Sequence, residues 1–180
     1  MRRFGIINGI ISGLFAGLVL AAFQSGGAIA GTQMGYWMSA KADRVVVLKT
    51  ERRMILMQGD DVIRVYRIAL GRYPMGPKRR EGDARTPEGV YTLDFKLKDS
   101  DFYKAIRVSY PNDQDISLAR DLGVEPGGKI MIHGLPNEVS ASRVGHPSID
   151  WTQGCIAVTN SEMDEIWSMI DPGTPIEIHP

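Results

Sequence analysis

Two short segments contain the residues whose types and spacing could support covalent chemistry. The first is Ile130-Met-Ile-His133-Gly134, and the second is Asp150-Trp-Thr-Gln-Gly-Cys155-Ile-Ala-Val-Thr159. Each reactive residue lies at the end of a short apolar run, which is typical of a buried strand. Two strand ends in one sheet would bring Cys155 and His133 together. A cysteine with a histidine is the minimum for thiol catalysis, because the histidine accepts the thiol proton and later returns it.

Cys155 is the single cysteine of the 180 residues, so it has no partner for an internal disulfide. In an exported protein, an unpaired thiol is a candidate reactive group. The alternative is a small buried apolar side chain, the usual state of a free cysteine. The preceding Gly154 and the nearby histidine segment favour the reactive interpretation.

These segments resemble the catalytic region of the L,D-transpeptidases, enzymes that remodel bacterial peptidoglycan. In that family a His-Gly pair is followed by a loop and then by Ser/Thr-His-Gly-Cys-apolar-Arg. His133-Gly134 matches the first part. In the second part Thr152, Gly154, Cys155 and Ile156 match, while Gln153 and Ala157 stand where the family has histidine and arginine.

The resemblance implies roles for the matching residues. Cys155 is expected to be the nucleophile and His133 its base, with the backbone carbonyl of Gly134 or Gln153 orienting the imidazole. Backbone N–H groups at Cys155 and in the Gln153-Gly154 turn would stabilise the oxyanion. The mechanism requires no metal or cofactor. A metal site built from the cysteine and nearby histidines is disfavoured, because the sequence contains no second cysteine or suitably spaced acidic ligand.

A second match lies at Thr86-Pro-Glu-Gly89, which suits a type I turn and corresponds to a Thr-Pro-x-Gly of the family. It extends the resemblance over residues 44–178. Basic residues of the preceding loop could bind stem-peptide carboxylates, and among them Arg85 is selected as a substrate-binding candidate. Arg143 is a candidate to replace the missing family arginine, and Thr152 is a third substrate-binding candidate. For each basic residue the alternative is an ordinary solvated charge.

The N-terminal segment carries an export signal. Arg2 and Arg3 precede an uncharged apolar run, and Ala28-Ile-Ala30 is an acceptable cleavage site. Residues 1–30 are therefore predicted to be either a cleaved signal peptide or a retained membrane anchor, the latter through residues 4–23. Residues 31–43 are predicted as a linker and 44–180 as the catalytic domain. The domain is expected in the periplasm or at the outer face of the cytoplasmic membrane.

The charge balance of the chain limits the classes of partner that are expected. The chain has 21 basic and 21 acidic residues, so no basic excess points to nucleic acid. The expected partners are peptidoglycan stem peptides and, as an acyl acceptor, an envelope lipoprotein.

The pattern predicts a mostly β domain, an antiparallel β-sandwich or open barrel of the L,D-transpeptidase type with two short helices. The strands are expected near residues 44–49, 53–57, 62–70, 90–95, 102–110, 130–133, 156–159 and 174–178, with the first three forming an antiparallel meander. The helices are expected near 112–123, capped by Asp113 or Asp115, and near 160–170, capped by Asn160. The segment 135–150 is predicted as a loop, with His146 on the surface.

Three functions remain open at this point. The first is a cysteine-dependent L,D-transpeptidase that acts through a thioester and forms cross-links or attaches an envelope protein. The second is a peptidoglycan carboxypeptidase, endopeptidase or amidase that uses the same residues with water as acceptor. The third is an envelope module that binds stem peptides without catalysis.

Overall fold

The computed structural model describes residues 40–180. The predicted signal or anchor, residues 1–30, lies outside the described residues. Within 40–180, no helix is long and apolar enough to span a bilayer. Ala40 and Ala42, at the end of the predicted linker, are buried in the core, and the Ala42 N–H donates to the Met169 carbonyl. This end of the linker therefore belongs to the folded domain.

Eight strands form one sheet. Their bounds are β1 Arg44–Leu48, β2 Arg53–Gln58, β3 Asp61–Arg67, β4 Gly89–Leu97, β5 Ala105–Val108, β6 Met131–His133, β7 Ile156–Ala157 and β8 Thr174–His179. The strand order is β3-β2-β1-β8-β4-β5-β6-β7. The predicted mostly β fold and the antiparallel meander of the first three strands are confirmed.

The sheet is mostly antiparallel, as predicted, but it contains two parallel pairs of strands. β1 pairs with β8 and β6 pairs with β7 in parallel. Parallel neighbours need a long connection, and β6 is joined to β7 by the segment 134–155. Beyond β3 the chain reaches the opposite edge of the sheet, where Ala69 and Ala157 exchange backbone hydrogen bonds of 3.0 and 2.8 Å. These bonds close the sheet partway towards a barrel.

Three helices accompany the sheet, not two: α1 Asp113–Asp121, α2 Ala141–Val144 and α3 Asn160–Met169. The short α2 lies inside the segment predicted as a loop. α1 begins after Asn112, whose side chain accepts from the Asp115 N–H, and α3 begins after Thr159, paired with Glu162 in a capping box. Each observed N-cap therefore lies at least one residue before the predicted one. The residues that precede the predicted caps favour the extended cap conformation equally well.

One side of the sheet packs against α3 and contains the core. The fully buried side chains include Val45, Val47, Leu56, Ile106 and Ile132, and α3 contributes Met163 and Ile166. A bulge at Asp94 interrupts β4, so that Leu93 pairs with Val108 while Phe95 pairs with Arg107. Because Leu93 and Val108 point into the core, this shift turns Phe95 to the outer face, where 53% of its surface is exposed.

Candidate active site

The register of β6 and β7 places the two predicted catalytic residues on one face of the sheet. Ile132 pairs with Ile156, and His133 pairs with Ala157. Both isoleucines point into the core, so their neighbours point to the outer face, because side chains alternate along a strand. Cys155 therefore lies opposite Met131, one diagonal step from His133. The sequence predicted only that these two residues lie at neighbouring strand ends. The parallel register of β6 and β7 determines their relative positions.

His133 is oriented by its neighbour. Its Nδ1 lies 2.6 Å from the Gly134 carbonyl oxygen. Since a carbonyl oxygen only accepts, Nδ1 carries the proton and Nε2 keeps its lone pair in the neutral imidazole. The ring stacks on Phe102 at 4.0 Å between centroids, and Trp151 approaches it edge-on at 5.7 Å. The imidazole is thus held in the tautomer that a general base requires.

Burial also sets the protonation state of His133. The side chain is only 1% exposed, and desolvation lowers its pKa to about 4, although the bond to Gly134 opposes this effect. At neutral pH the imidazole is therefore uncharged. A neutral base can accept a proton from a thiol, whereas an imidazolium could not.

Cys155 is half-buried, and burial raises the pKa of its thiol. The Met131 N–H and the Lys78 ammonium oppose this effect. The sulfur makes its weak hydrogen bond to the Lys129 carbonyl, at 3.5 Å, and among residues 40–180 no bond joins it to His133. The resting pair is therefore a neutral thiol and a neutral imidazole.

Thr152 fixes the turn that presents Cys155. Its hydroxyl donates to the Cys155 carbonyl at 2.8 Å and accepts from the Gly154 N–H at 3.1 Å. The side chain is buried, so the hydroxyl is used inside the turn. This differs from the substrate-binding role predicted for Thr152, because both of its bonds are internal.

Glycine is required on both sides of this turn. Gly154 has φ +131, and a Cβ there would lie 2.6 Å from the Arg85 carbonyl oxygen. A Cβ on Gly71 would lie 2.2 Å from the Ala84 carbonyl oxygen and 3.0 Å from the Gly154 Cα. Gly134 is similarly confined, because a Cβ there would lie 2.8 Å from the Tyr103 carbonyl oxygen. Backbone segments therefore pack directly against one another around the cysteine.

The backbone N–H groups of Gly154 and Cys155 differ in whether they already donate a hydrogen bond. The Gly154 N–H is already bound by Thr152, so it is not available to an oxyanion. The Ala157 N–H points away from β6 to Ala69, and by alternation the Cys155 N–H points the same way. Within the described part of the chain the Cys155 N–H has no acceptor. Gln153 is exposed beside it.

An ion pair joins Arg52, in the turn between β1 and β2, to Asp150, in the segment that precedes Cys155. Arg52 makes bonds of 2.8 to 3.2 Å to both carboxylate oxygens of Asp150, and Asp150 also accepts from the Leu70 N–H at 2.9 Å. Both side chains are partly buried. This pair was not predictable from the sequence, because its members lie 98 positions apart and neither belongs to a recognisable motif.

The basic loop before β4 is held by hydrogen bonds and an ion pair within the loop. Lys78 is buried and bonds to Asp83 at 2.8 Å, and Asp83 also accepts backbone N–H groups from Arg79, Arg80 and Arg85. Lys49 is 2% exposed and bonds to Glu88, Gly76 and Thr86. The half-buried Arg85 places its carbonyl against Gly154 and its side chain in a polar cavity of about 410 Å³.

Two residues of the segment after β6 lie where the sequence did not place them. Arg143, the candidate substitute for the family arginine, is an exposed residue of α2. His146 was expected on the surface, and that prediction was wrong because the side chain is only 8% exposed. Among residues 40–180, neither of its ring nitrogens, nor the buried Trp151 Nε1, has a hydrogen-bond partner. Burial lowers the pKa of His146.

Among residues 40–180, no three acidic, histidine or cysteine side chains are grouped so that they could hold a metal ion. The chemistry offered by the site is that of a thiol, a neutral base and backbone donors. These groups lie at one end of a half-barrel sheet.

Comparison with known proteins gives the family. The family model of the L,D-transpeptidase catalytic domain matches residues 42–178. The chain therefore belongs to the L,D-transpeptidase family, as its two motifs predicted.

Relatives agree with this assignment. A curated Escherichia coli (strain K12) protein, "Putative L,D-transpeptidase YafK", is 36% identical over 115 residues, which cover 59% of this chain and 39% of the relative. The chain thus spans well under half of that protein's length. The crystal structure of the helical cell shape determining protein Pgp2 from Campylobacter jejuni is similar, with a TM-score of 0.56, 26% identity and coverage of 81% of this chain and 54% of that one. The Enterococcus faecium L,D-transpeptidase has the same fold, with a TM-score of 0.51 at 15% identity and coverage of 78% and 50%.

Proposed function

We propose that this protein is an exported L,D-transpeptidase that uses Cys155 and His133 to transfer the acyl group of a peptidoglycan stem peptide through a thioester. The observation that carries the proposal is the orientation of His133. Its Nδ1 is bound to Gly134, which leaves the lone pair of the neutral Nε2 as the proton acceptor, on a side chain that shares its sheet face with Cys155. Family membership supports action on peptidoglycan.

The reaction follows from the two neutral groups. The Cys155 thiol rotates away from Lys129 and gives its proton to His133 Nε2 as the sulfur attacks the carbonyl of the scissile amide. The C–N bond then breaks, and His133 returns the proton to the leaving amine, which leaves a thioester. The acceptor amine attacks the thioester and loses a proton to Nε2, and the same proton restores the thiol.

The developing oxyanion is bound by the Cys155 backbone N–H. That group is free of other acceptors among residues 40–180, whereas the Gly154 N–H is bound to Thr152. Loss of one oxyanion donor typically costs about 10²–10³ in rate. Thr152 and Gly154 act by positioning this donor and the sulfur.

The experiment is mass spectrometry of tetrapeptide muropeptides incubated with the full chain, beside a Cys155→Ala variant. We expect cross-linked dimers with loss of the terminal D-alanine, absent in the variant. Loss of D-alanine without dimers would replace the proposal with the hydrolytic activity. Binding of muropeptides without turnover by the wild type would favour the non-catalytic module. An added envelope lipoprotein tests protein attachment in the same assay.

A further inference from the structure

A buried ion pair lies in the basic loop 77–86, which packs against the turn that presents Cys155. Lys78 is only 5% exposed, and its ammonium donates to Asp83 Oδ1 at 2.8 Å and to the Arg80 carbonyl at 3.0 Å. Neither Lys78 nor Asp83 takes part in the proposed acyl transfer. Replacement of a buried ion pair by apolar residues is often neutral or stabilising, so stability alone does not explain the pair.

Asp83 connects the Lys78 ammonium to the backbone of the loop. Its Oδ1 also accepts the Arg85 N–H, at 3.1 Å. Its Oδ2 accepts the N–H groups of Arg79 and Arg80, at 2.8 and 3.1 Å. One carboxylate therefore binds the ammonium and three backbone donors, and the position of Arg85 depends on it.

Arg85 transmits this position to the cysteine turn through its carbonyl group. A Cβ on Gly154 would lie 2.6 Å from the Arg85 carbonyl oxygen, so the two backbone segments are in direct contact. Gly154 immediately precedes Cys155. A shift of Arg85 would therefore shift the residue that carries the sulfur.

The same loop contacts a second segment that holds the sulfur. The Glu81 N–H donates to the Glu125 carbonyl at 2.8 Å, and a Cβ on Gly127 would lie 3.1 Å from the Glu81 Cα. This segment continues to Lys129, whose carbonyl oxygen lies 3.5 Å from the Cys155 sulfur. The loop therefore supports both segments between which the thiol lies.

The ammonium of the pair also acts on the thiol through its charge. Burial raises the pKa of Cys155, and the Lys78 ammonium opposes this effect together with the Met131 N–H. A nearby positive charge favours the charged form of an acid. The thiolate is the nucleophilic form of cysteine, so this charge acts in the direction that the proposed reaction needs.

We propose that the Lys78–Asp83 pair positions the cysteine: it holds the Gly154–Cys155 turn through the Arg85 carbonyl, and its ammonium favours negative charge on the sulfur. Both residues act through the turn and not by contact with the reacting atoms. This inference rests on the proposed acyl transfer at Cys155 and adds two residues that support the nucleophile.

The test is the rate of Cys155 alkylation by iodoacetamide as a function of pH, measured on the full chain. Lys78→Met/Asp83→Asn removes both charges and keeps an oxygen acceptor for the loop N–H groups. The midpoint of labelling should rise by about one pH unit, because the thiolate loses its cation. With a tetrapeptide stem, kcat should fall about 10-fold and KM should change little, since the pair does not contact the substrate.

A single substitution covers the case in which the double variant does not fold. Lys78→Gln removes the positive charge but keeps a donor for Asp83, and it should raise the midpoint in the same way. Lys78→Arg keeps the charge, so its midpoint should remain near that of the wild type.

A second buried pair provides a matched control. Lys49 is 2% exposed and bonds to Glu88 at 2.8 Å. Lys49→Met/Glu88→Gln therefore removes a comparable pair from the same loop region. It should change stability but leave the midpoint of Cys155 labelling unchanged.

Labelling separates this proposal from the proposed function, because it needs only the thiol. An unchanged midpoint in Lys78→Gln and in the double variant would overturn the positioning role. Equal shifts in the Lys49 control would attribute the effect to loop packing and would also overturn it. Absence of turnover by the wild type would contradict the acyl transfer, while a midpoint shift confined to the Lys78 variants would still support the action of the pair on Cys155.

Discussion

The two ends of the sheet are built on different principles. At the end formed by β1 and β2, alternating apolar side chains such as Val45, Val47, Met54 and Leu56 are fully buried. At the end formed by β6 and β7, the buried set includes polar side chains, among them His133, His146 and Thr152. Apolar burial stabilises the first region, whereas close backbone packing and single hydrogen bonds shape the second. If the proposed function holds, stability and chemistry reside in separate parts of one sheet.

The largest expected effect is on stability, from Leu56→Ala at the apolar end. Loss of a fully buried leucine should lower the free energy of unfolding by about 2–5 kcal/mol. Denaturant unfolding measures this loss, and kcat/KM should stay within about 3-fold at temperatures where the variant is folded. Val65→Ala, at a 53% exposed position of the neighbouring strand, is the control and should cost less than about 1 kcal/mol. A large loss of kcat/KM in folded Leu56→Ala would show that the two ends are coupled.

Gly154→Ala, at the end of the sheet that carries Cys155, should reduce both activity and stability. The new Cβ would meet the Arg85 carbonyl and displace the turn that carries Cys155, and a displacement of about 1 Å can cost about 10²-fold in rate. Steady-state kinetics and denaturant unfolding should therefore both report a loss. Gly173→Ala is a matched control, because Gly173 also has a positive φ but would meet nothing within 4 Å. Equal effects of the two substitutions would attribute the loss to backbone strain and not to the contact with Arg85.

Arg52→Met tests the connection between the two regions. The variant leaves the partly buried Asp150 without its cation, which should cost about 1–3 kcal/mol and increase hydrogen exchange in the segment 134–154. We expect kcat/KM to fall about 10-fold. Arg53→Met is the control, since the Arg53–Glu51 pair is exposed at 3.2 Å and should contribute less than about 1 kcal/mol. Unchanged exchange in Arg52→Met would remove the anchoring role of Asp150.

The protonation of His133 makes the stability of the domain depend on pH. The unfolded imidazole binds a proton near pH 6.5, whereas the folded one does so only near its pKa of about 4. As pH falls from 6.5 to about 4, the unfolded state gains protons that the folded state does not bind. The free energy of unfolding should therefore fall by up to about 1.4 kcal/mol per pH unit from this group. The difference between the wild type and His133→Gln measures it.

The pH dependence of kcat/KM should also reflect the protonation of His133. Because the base must be neutral, the acid limb of kcat/KM should lie near pH 4. An acid limb near 6.5 would show that His133 is solvated in the working enzyme. Thiol labelling of Cys155 should also be slow at neutral pH and increase at alkaline pH, since burial raises the pKa of the thiol.

Much of this molecule was predictable from local pattern. The strands around Val46, Ile55 and Ile132 follow from apolar runs, and two short motifs indicate the family and the proposed nucleophile and base. The bulge at Asp94 was not predictable, because alternation of residue types does not record an inserted residue. Without the bulge, Phe95 would be assigned to the core. The exposure of Phe95 on the outer face of the sheet was therefore not predictable from the sequence.

Long-range polar contacts were the other gap. Arg52 and Asp150 meet only because the chain after β3 returns to the β7 edge. Burial of His146 depends on the tertiary packing of the segment around α2, whose composition resembled that of a surface loop. Thr152 was recognised as part of a motif, but its hydrogen bonds within the turn required coordinates.

The most direct test of the central claim is the intact mass of the full chain incubated with a tetrapeptide stem and no amine acceptor. The account predicts a covalent adduct equal to the donor acyl group, located on Cys155 by peptide mapping and sensitive to hydroxylamine, as a thioester should be. It also predicts that His133→Ala forms the adduct far more slowly. D-alanine release without any adduct on Cys155, in wild type and Cys155→Ala alike, would contradict the account.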